Sequence, residues 1–280
     1  MRGWRFALNR RWFGYLAAAI VFAFFCVLLS QWQFARRDEA LVEVTRITEN
    51  YDASPVALER AMPSLEEFDA DDKWTPVVVT GEYLADEQLL VRNRPFGGRP
   101  GFEVLTPLLL SDGSIFVVDR GWVEPGSTAD APVAVPAPPD GQVTVIAHLK
   151  PSEPALLGRT APEGQIPTIE LAAVAQLLDR PTYTGAYGLL ESEDPAPTSR
   201  PAAATKPQPD EGPHLSYAVQ WIVFAIFGFG GLAYALRQEY RLINANDPAE
   251  RARALLRRAK AAQRPTDADA EDALLDAAQR

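Results

Sequence analysis

From Leu215 to Leu236 the chain carries no charged residue, and this run, LSYAVQWIVFAIFGFGGLAYAL, limits the fold more than any other stretch. Its 22 residues, rising about 1.5 Å each as a helix, cover the roughly 30 Å of a bilayer's hydrocarbon. The run predicts a transmembrane helix over 214–236. Pro213 suits a first helical position, which places His214 in the opening turn. Helical spacing then puts His214, Tyr217, Trp221, Ala225 and Gly228 on one face. Small residues low on that face let a second helix approach closely, and Tyr and Trp near the rim belong to an interfacial belt. The belt does not account for His214. Two readings stay open for it, a solvated imidazole among the headgroups or a buried ligand.

A second uncharged run extends from Trp12 to Ala35. It is long for the apolar region of a signal peptide, and Leu28-Leu29-Ser30 is a poor cleavage site, so it predicts a retained helix over 12–35. Residues 1–11 sum to +4 and residues 237–280 to +1, which leaves −15 for the middle of a chain whose net charge is −10. Arginines at both ends predict cytoplasmic termini in the cell membrane and an extracytoplasmic centre over 36–193. Arg36 and Arg37 run against this rule, with Asp38 and Glu39 directly after them. The acidic middle argues against nucleic acid as a partner. Cys26 is the one cysteine, so neither an intrachain disulfide nor a thiolate pair for copper or zinc is available.

Residues 38–72 read as a polar helical stalk, with Ala40, Leu41, Val44 and Ile47 on one side. From Trp74 the pattern becomes short β-branched and aromatic runs, WTPVVVTGEYL, QLLVRNR, FEVLTPLLL, SIFVVDRGWV and QVTVIAHLK, separated by turn residues. They predict an antiparallel sheet of about five strands, with Asp112-Gly113 as one hairpin turn. TIELAAVAQLLDR predicts a single packed helix with Thr168 as its N-cap and Leu171, Val174, Leu177 and Leu178 as its apolar face. TYTGAYGLLE reads as a last strand. A Pro- and Ala-rich flexible linker over 194–213 leads back to the membrane, and a cytoplasmic tail fills 237–280. The tail's helix starts at Asp247-Pro248-Ala249-Glu250, and its arginines fit either anionic membrane lipid or plain solvation. The fold class is a membrane α+β protein, two transmembrane helices flanking an extracytoplasmic antiparallel β-rich domain.

The segment VRNRPFGGRPGFEVLTPL, residues 91–108, concentrates unusual residues. Arg92, Arg94 and Arg99 flank a glycine-rich turn, and Arg120 follows in VDRGW. Guanidinium forks bind carboxylate or phosphate, so the cluster suits an anionic cofactor or an acidic partner edge; an ordinary hairpin with solvated or salt-bridged arginines fits equally well. A phosphate loop is excluded, because no Lys-Ser/Thr follows the glycines. Gly-x-Ser-x-Gly and His-Glu-x-x-His are absent, and neither His148 nor His214 has a nucleophile nearby in sequence. An extracytoplasmic hydrolase is therefore disfavoured. His148 reads as a strand residue, and Asp119 and Glu103 as arginine partners within the sheet.

Four motifs, SQWQFARRDE at 30–39, VRNRPFGGRPGFEVLTPL at 91–108, VDRGWV at 118–123 and HLSYAVQW at 214–221, occur in an order that resembles the surfeit locus protein one family in its bacterial, actinobacterial form. These are assembly factors of haem-copper cytochrome c oxidase. The resemblance implies two transmembrane helices holding an extracytoplasmic domain, transient binding of haem a, and the oxidase catalytic subunit or its assembly intermediates as partner. It maps the family's second-span histidine onto His214 and its first-span exit motif onto Trp32, Gln33 and Arg36. On this reading His214 is the metal ligand, Tyr217, Trp221 and Trp32 flank the macrocycle, and Arg36, Arg92, Arg94, Arg99 and Arg120 hold propionates. The alternative is a stable accessory or scaffold protein of the oxidase that binds no haem. In either case no enzyme activity is expected. The linker and the tail depart from the family pattern and carry no function from it.

Overall fold

The computed structural model describes residues 3–127 and 130–262. It divides into two compact units, Met1–Asp38 with Gly212–Arg280, and Glu39–Glu211. The expected cytoplasmic tail beyond residue 262 and the N-terminal residues 1 and 2 lie outside the described residues.

In the first unit, helix α1 begins at Arg10 and runs to Asn50, and helix α4 spans His214–Ile243. Both are long and apolar enough to cross a membrane. Their mutual packing uses small residues. Cys26, Ser30 and Ala218 are buried, Ser30 Oγ donates to the Ala218 carbonyl at 3.0 Å, and a side chain at Gly228 would meet the Phe22 ring at 3.2 Å. Close approach of this kind is how apolar helices associate where lipid removes the hydrophobic drive. Helix α5, Pro248–Ala262, follows a turn in which Asp247 Oδ1 accepts the Ala249 N–H, an N-cap of the expected type.

The last turns of α1 belong to the second unit. Ile47 packs with Trp74 and Leu189, and Glu43 accepts from Lys73 and from the Trp74 indole. The helix ends at Asn50, whose amide donates to the Asp71 and Lys73 carbonyls, and so does not continue as the expected stalk to residue 72. Pro55 and Pro63 explain the early stop, since each removes a donor that a helix needs.

Beyond it the described residues form one eight-stranded sheet in the order β1-β2-β6-β8-β5-β4-β3-β7. The strands are β1 Val56–Ala57, β2 Pro76–Tyr83, β3 Leu89–Phe96, β4 Arg99–Leu110, β5 Ile115–Val123, β6 Gln142–Pro151, β7 Gln165–Ile166 and β8 Ala186–Asp194; the short helix α2 is Leu58–Ala61. The sheet is mixed, a correction to the antiparallel expectation: β8 lies parallel to β5, β1 to β2 and β7 to β3. A long excursion through β6 and helix α3, Leu171–Leu178, returns the chain beside β5 in the same direction, a geometry no tight turn allows. The two-residue strands are too short to leave a periodic trace in sequence.

Because the far end of β4 also pairs with β2, strands β2, β6, β8, β5 and β4 close on themselves as a small barrel. Closure explains Gly81, where a Cβ would sit 2.5 Å from the Leu109 carbonyl oxygen. Alternate residues fill the interior, among them Val77, Val79, Leu108, Phe116, Val145 and Leu149. Outward-facing Ile115 and Val117 meet Leu171, Val174 and Leu178 of α3, so β5 is buried along its whole length. Leu177 points away from this core and is exposed. Thr168 is not the N-cap; its hydroxyl donates to Glu153, while Ser152 Oγ accepts the Leu171 N–H. The 194–213 segment is not free either. Ala202 exchanges both backbone hydrogen bonds with Trp122, and Lys206 pairs with Asp52.

Candidate functional site

His214 opens α4 half-buried, directly after Gly212 and Pro213. Gly212 has φ +69°, and a Cβ there would approach the imidazole Cδ2 and Nε2 to 3.3 Å, so glycine serves both the turn and the space beside the ring. On α1, Gln33 Oε1 lies 2.9 Å from His214 Nδ1. An amide oxygen only accepts, so Nδ1 carries the proton and Nε2 holds the lone pair. This is how a neutral imidazole is set to bind a metal through Nε2. Among the described residues no group of three His, Cys, Asp or Glu is arranged to hold a bare ion. A lone imidazole could supply one nitrogen donor to a metal whose other ligands come from elsewhere.

The expected aromatic neighbours divide. Trp221 is half-buried on the same side of α4 as His214 and Ala225, and lies edge-on to Phe224 at 5.7 Å. Tyr217 is 48% exposed, and fully buried Ala218 takes the contact position instead. Helical spacing admits either i+3 or i+4, and close packing against Ser30 selects the smaller residue. Trp32 is 53% exposed, with the Arg36 guanidinium 6.0 Å from its ring centroid. Gln33, the residue that orients the imidazole, was legible only as part of the first-span motif.

Arg92, Arg94, Arg99 and Arg120 belong to the barrel unit, where each has an acidic partner. The β3–β4 hairpin turns on Gly97 and Gly98, with φ +57° and +78°, the two-residue turn that only such φ values permit. Below it Trp122 covers Gly101, stacks on Phe96 at 5.2 Å and donates from Nε1 to the Arg94 carbonyl. At the tip Arg99 pairs with Glu124 at 2.7 Å, both exposed. Arg92 reaches Gln165 at 2.9 Å and Asp130 at 3.3 Å. Arg94 lies between Glu103 at 2.9 Å and Glu153 at 2.5 Å. With Arg159, Arg92 and Arg94 line a cleft of about 410 Å³. Arg120 is elsewhere, wholly buried, donating to the Pro136 and Ala137 carbonyls and pairing with buried Glu193 at 3.2 Å. A guanidinium so enclosed holds the barrel together and presents nothing to a ligand.

Of Asp119 and Glu103, both expected as arginine partners, Glu103 alone has one among the described residues. Asp119 is fully buried and accepts one hydrogen bond, from the Gly121 N–H at 3.0 Å. Burial, reinforced by the Glu103 charge, pushes its carboxyl up to about 7. Burial also raises Glu103, against the opposing charge of Arg94. Burial acts to raise Glu153 too, but hydrogen bonds from Arg94, Thr168 and the Ile169 N–H outweigh it and hold that carboxyl below its ordinary value.

The SURF1 family profile matches residues 20–226, which takes in Trp32, Gln33, the arginine hairpin, His214 and Trp221. SURF1-like proteins of Mycobacterium tuberculosis and Mycobacterium bovis are 32% identical to the chain over 241 residues, covering 84% of it and 87% of each of them. The end of α4 and all of α5 fall beyond the profile match. With well over half its length matched in this way, the chain belongs to the SURF1 family, which is linked to cytochrome c oxidase assembly.

Proposed function

We propose that this protein is a membrane-anchored assembly factor that takes haem a transiently on His214 and aids its insertion into the catalytic subunit of the oxidase. The observation that carries the reading is the Gln33–His214 hydrogen bond, which holds the proton on Nδ1 and leaves the Nε2 lone pair for iron. His214 would hold the haem through Nε2, and the haem would supply the iron centre destined for the oxidase. A single protein ligand suits holding and release better than permanent electron transfer. Trp221 and Trp32 offer aromatic surface to a macrocycle, and Arg36 a cation to a propionate. The barrel arginines are already matched by carboxylates and act in this reading as structure. The role is that of a chaperone, not a catalyst.

Both apolar helices cross the cell membrane in the proposed arrangement. Arg5, Arg10 and Arg11 at one end and Arg237 and Arg241 at the other keep the termini cytoplasmic, and the barrel is extracytoplasmic.

The test is purification from cells that make haem a, followed by absorbance spectroscopy of wild type and His214→Ala. A haem band in the wild type that is absent from an equally abundant variant supports the proposal. A haem-free wild type that co-purifies with mature oxidase at a constant ratio establishes the scaffold alternative instead.

A further inference from the structure

At the end of the first unit opposite His214, α4 passes from its uncharged run into charged turns, and a cavity of about 450 Å³ opens there. Two arginine pairs line it, Arg237 and Arg241 at i, i+4 on α4, and Arg253 and Arg257 at i, i+4 on α5. Trp4 and Tyr240 form its aromatic wall, stacked at 4.5 Å between ring centroids. Ala233, still within the uncharged run, lines it as well. Glu250 is the one carboxylate in the lining; it pairs with Arg257 at 2.6 Å and lies 3.6 Å from Arg253. Four arginines less one glutamate leave the lining at a formal +3. Arg237 and Arg241 form no ion pair among the described residues, and Glu239 between them is taken by Arg11.

The cavity is open to solvent at Arg237, Arg253 and Arg257, and positive charge gathered along one groove attracts an anion. Guanidinium forks match phosphate oxygens in bidentate fashion. The stacked Trp4–Tyr240 pair adds nothing to the binding of a small inorganic anion, but it suits the glycerol and first methylenes of a lipid. The cavity also sits where the helix changes from uncharged to charged, the depth at which headgroups lie. We infer that this cavity is a binding site for the phosphodiester headgroup of an anionic membrane lipid. The inference rests on the reading that α1 and α4 span a membrane.

The test uses the full-length protein, delipidated in detergent and titrated with diphosphatidylglycerol under native mass spectrometry. R237Q/R253Q removes charge from this cavity only. R251Q/R258Q removes the same charge from residues that line the neighbouring cavity and not this one. The site predicts at least a tenfold loss of affinity in the first variant and less than twofold in the second. Equal losses would reduce the effect to general surface charge and overturn the site, as would equal affinity for phosphatidylcholine. Displacement of the lipid by inorganic phosphate at the same concentration would assign the cavity to a free anion. Should R237Q/R253Q not be recovered folded, Arg241→Gln alone carries the test, with at least a threefold loss expected and an unchanged affinity overturning the site. Extraction of the wild type from membranes by alkaline carbonate would defeat the spanning reading itself. Retention without selective lipid binding would defeat the lipid site alone.

Discussion

His148 in the barrel and His214 at the start of α4 use their ring nitrogens in opposite ways. On β6, His148 is buried, stacked on Tyr51 at 3.9 Å, with Nε2 3.0 Å from the Tyr51 carbonyl oxygen. A carbonyl only accepts, so Nε2 is the protonated nitrogen and is committed to the backbone. On α4 the protonated nitrogen is Nδ1, bonded to a side chain that a single substitution can alter, and Nε2 keeps its lone pair. The contrast extends to the cations: Arg120 is enclosed with Glu193, whereas Arg99 pairs with Glu124 in solvent. In the barrel His148 and Arg120 are held by partners within the same unit and serve packing. In the helix pair one polar group is oriented and left with capacity to bind.

The largest effect expected from this contrast is in the barrel. Arg120→Ala strands Glu193 without its cation and should cost about 3–5 kcal/mol of stability in denaturant unfolding, with part recovered by adding Glu193→Gln. Haem bound per folded molecule should not change; a selective loss of haem would return Arg120 to the ligand site. Next comes pH. The Asp119 carboxyl titrates near 7 when folded against an ordinary 3.8, so between about pH 4 and 7 the folded protein holds a proton that the unfolded chain has released. Its contribution to stability is therefore complete below about pH 4 and is lost as pH rises through 7, at up to about 1.4 kcal/mol per pH unit. Asp119→Asn should flatten that slope in unfolding measured across the window, and a slope identical to wild type would contradict the assignment.

His148→Ala removes a stacked ring and a hydrogen bond and should cost about 1–2 kcal/mol by thermal unfolding while leaving haem content intact. Loss of haem at unchanged stability would invert the comparison of the two histidines. The smallest effect belongs to Arg99→Ala. Its ion pair is exposed, so stability should fall by less than about 1 kcal/mol, and oxidase maturation in cells should be unaffected. Impaired maturation would make the hairpin tip a docking surface after all.

How far such contrasts can be read in advance depends on whether the cause is local. The two apolar helices, the Asp112-Gly113 hairpin and the Leu171, Val174 and Leu178 side of α3 are local in origin, and spacing discloses them, though it also placed exposed Leu177 on that side. Barrel closure is not, because β4 meets β2 across a sequence gap that no periodicity spans; Gly81 is its one trace, interpretable only once Leu109 lies against it. The parallel placement of β8 is hidden for the same reason. At the site, His214 stood out as a histidine at the head of an apolar run. Gln33 is 181 positions away and acquires meaning only through contact. The pairing of Arg94 with Glu103 and Glu153, and of Arg120 with Glu193, likewise joins residues on different strands and loops. An arginine-rich hairpin reads as an anion site until its carboxylates are found.

Ligand rescue tests the proposed binding of iron through His214 Nε2 most directly. Haem a would be titrated by absorbance into wild type, His148→Ala, and His214→Ala with and without added imidazole. The account predicts wild-type affinity for His148→Ala, at least a tenfold loss for His214→Ala, and recovery of both affinity and band position when free imidazole occupies the vacated place. Undiminished affinity and an unchanged spectrum in His214→Ala without imidazole would contradict it.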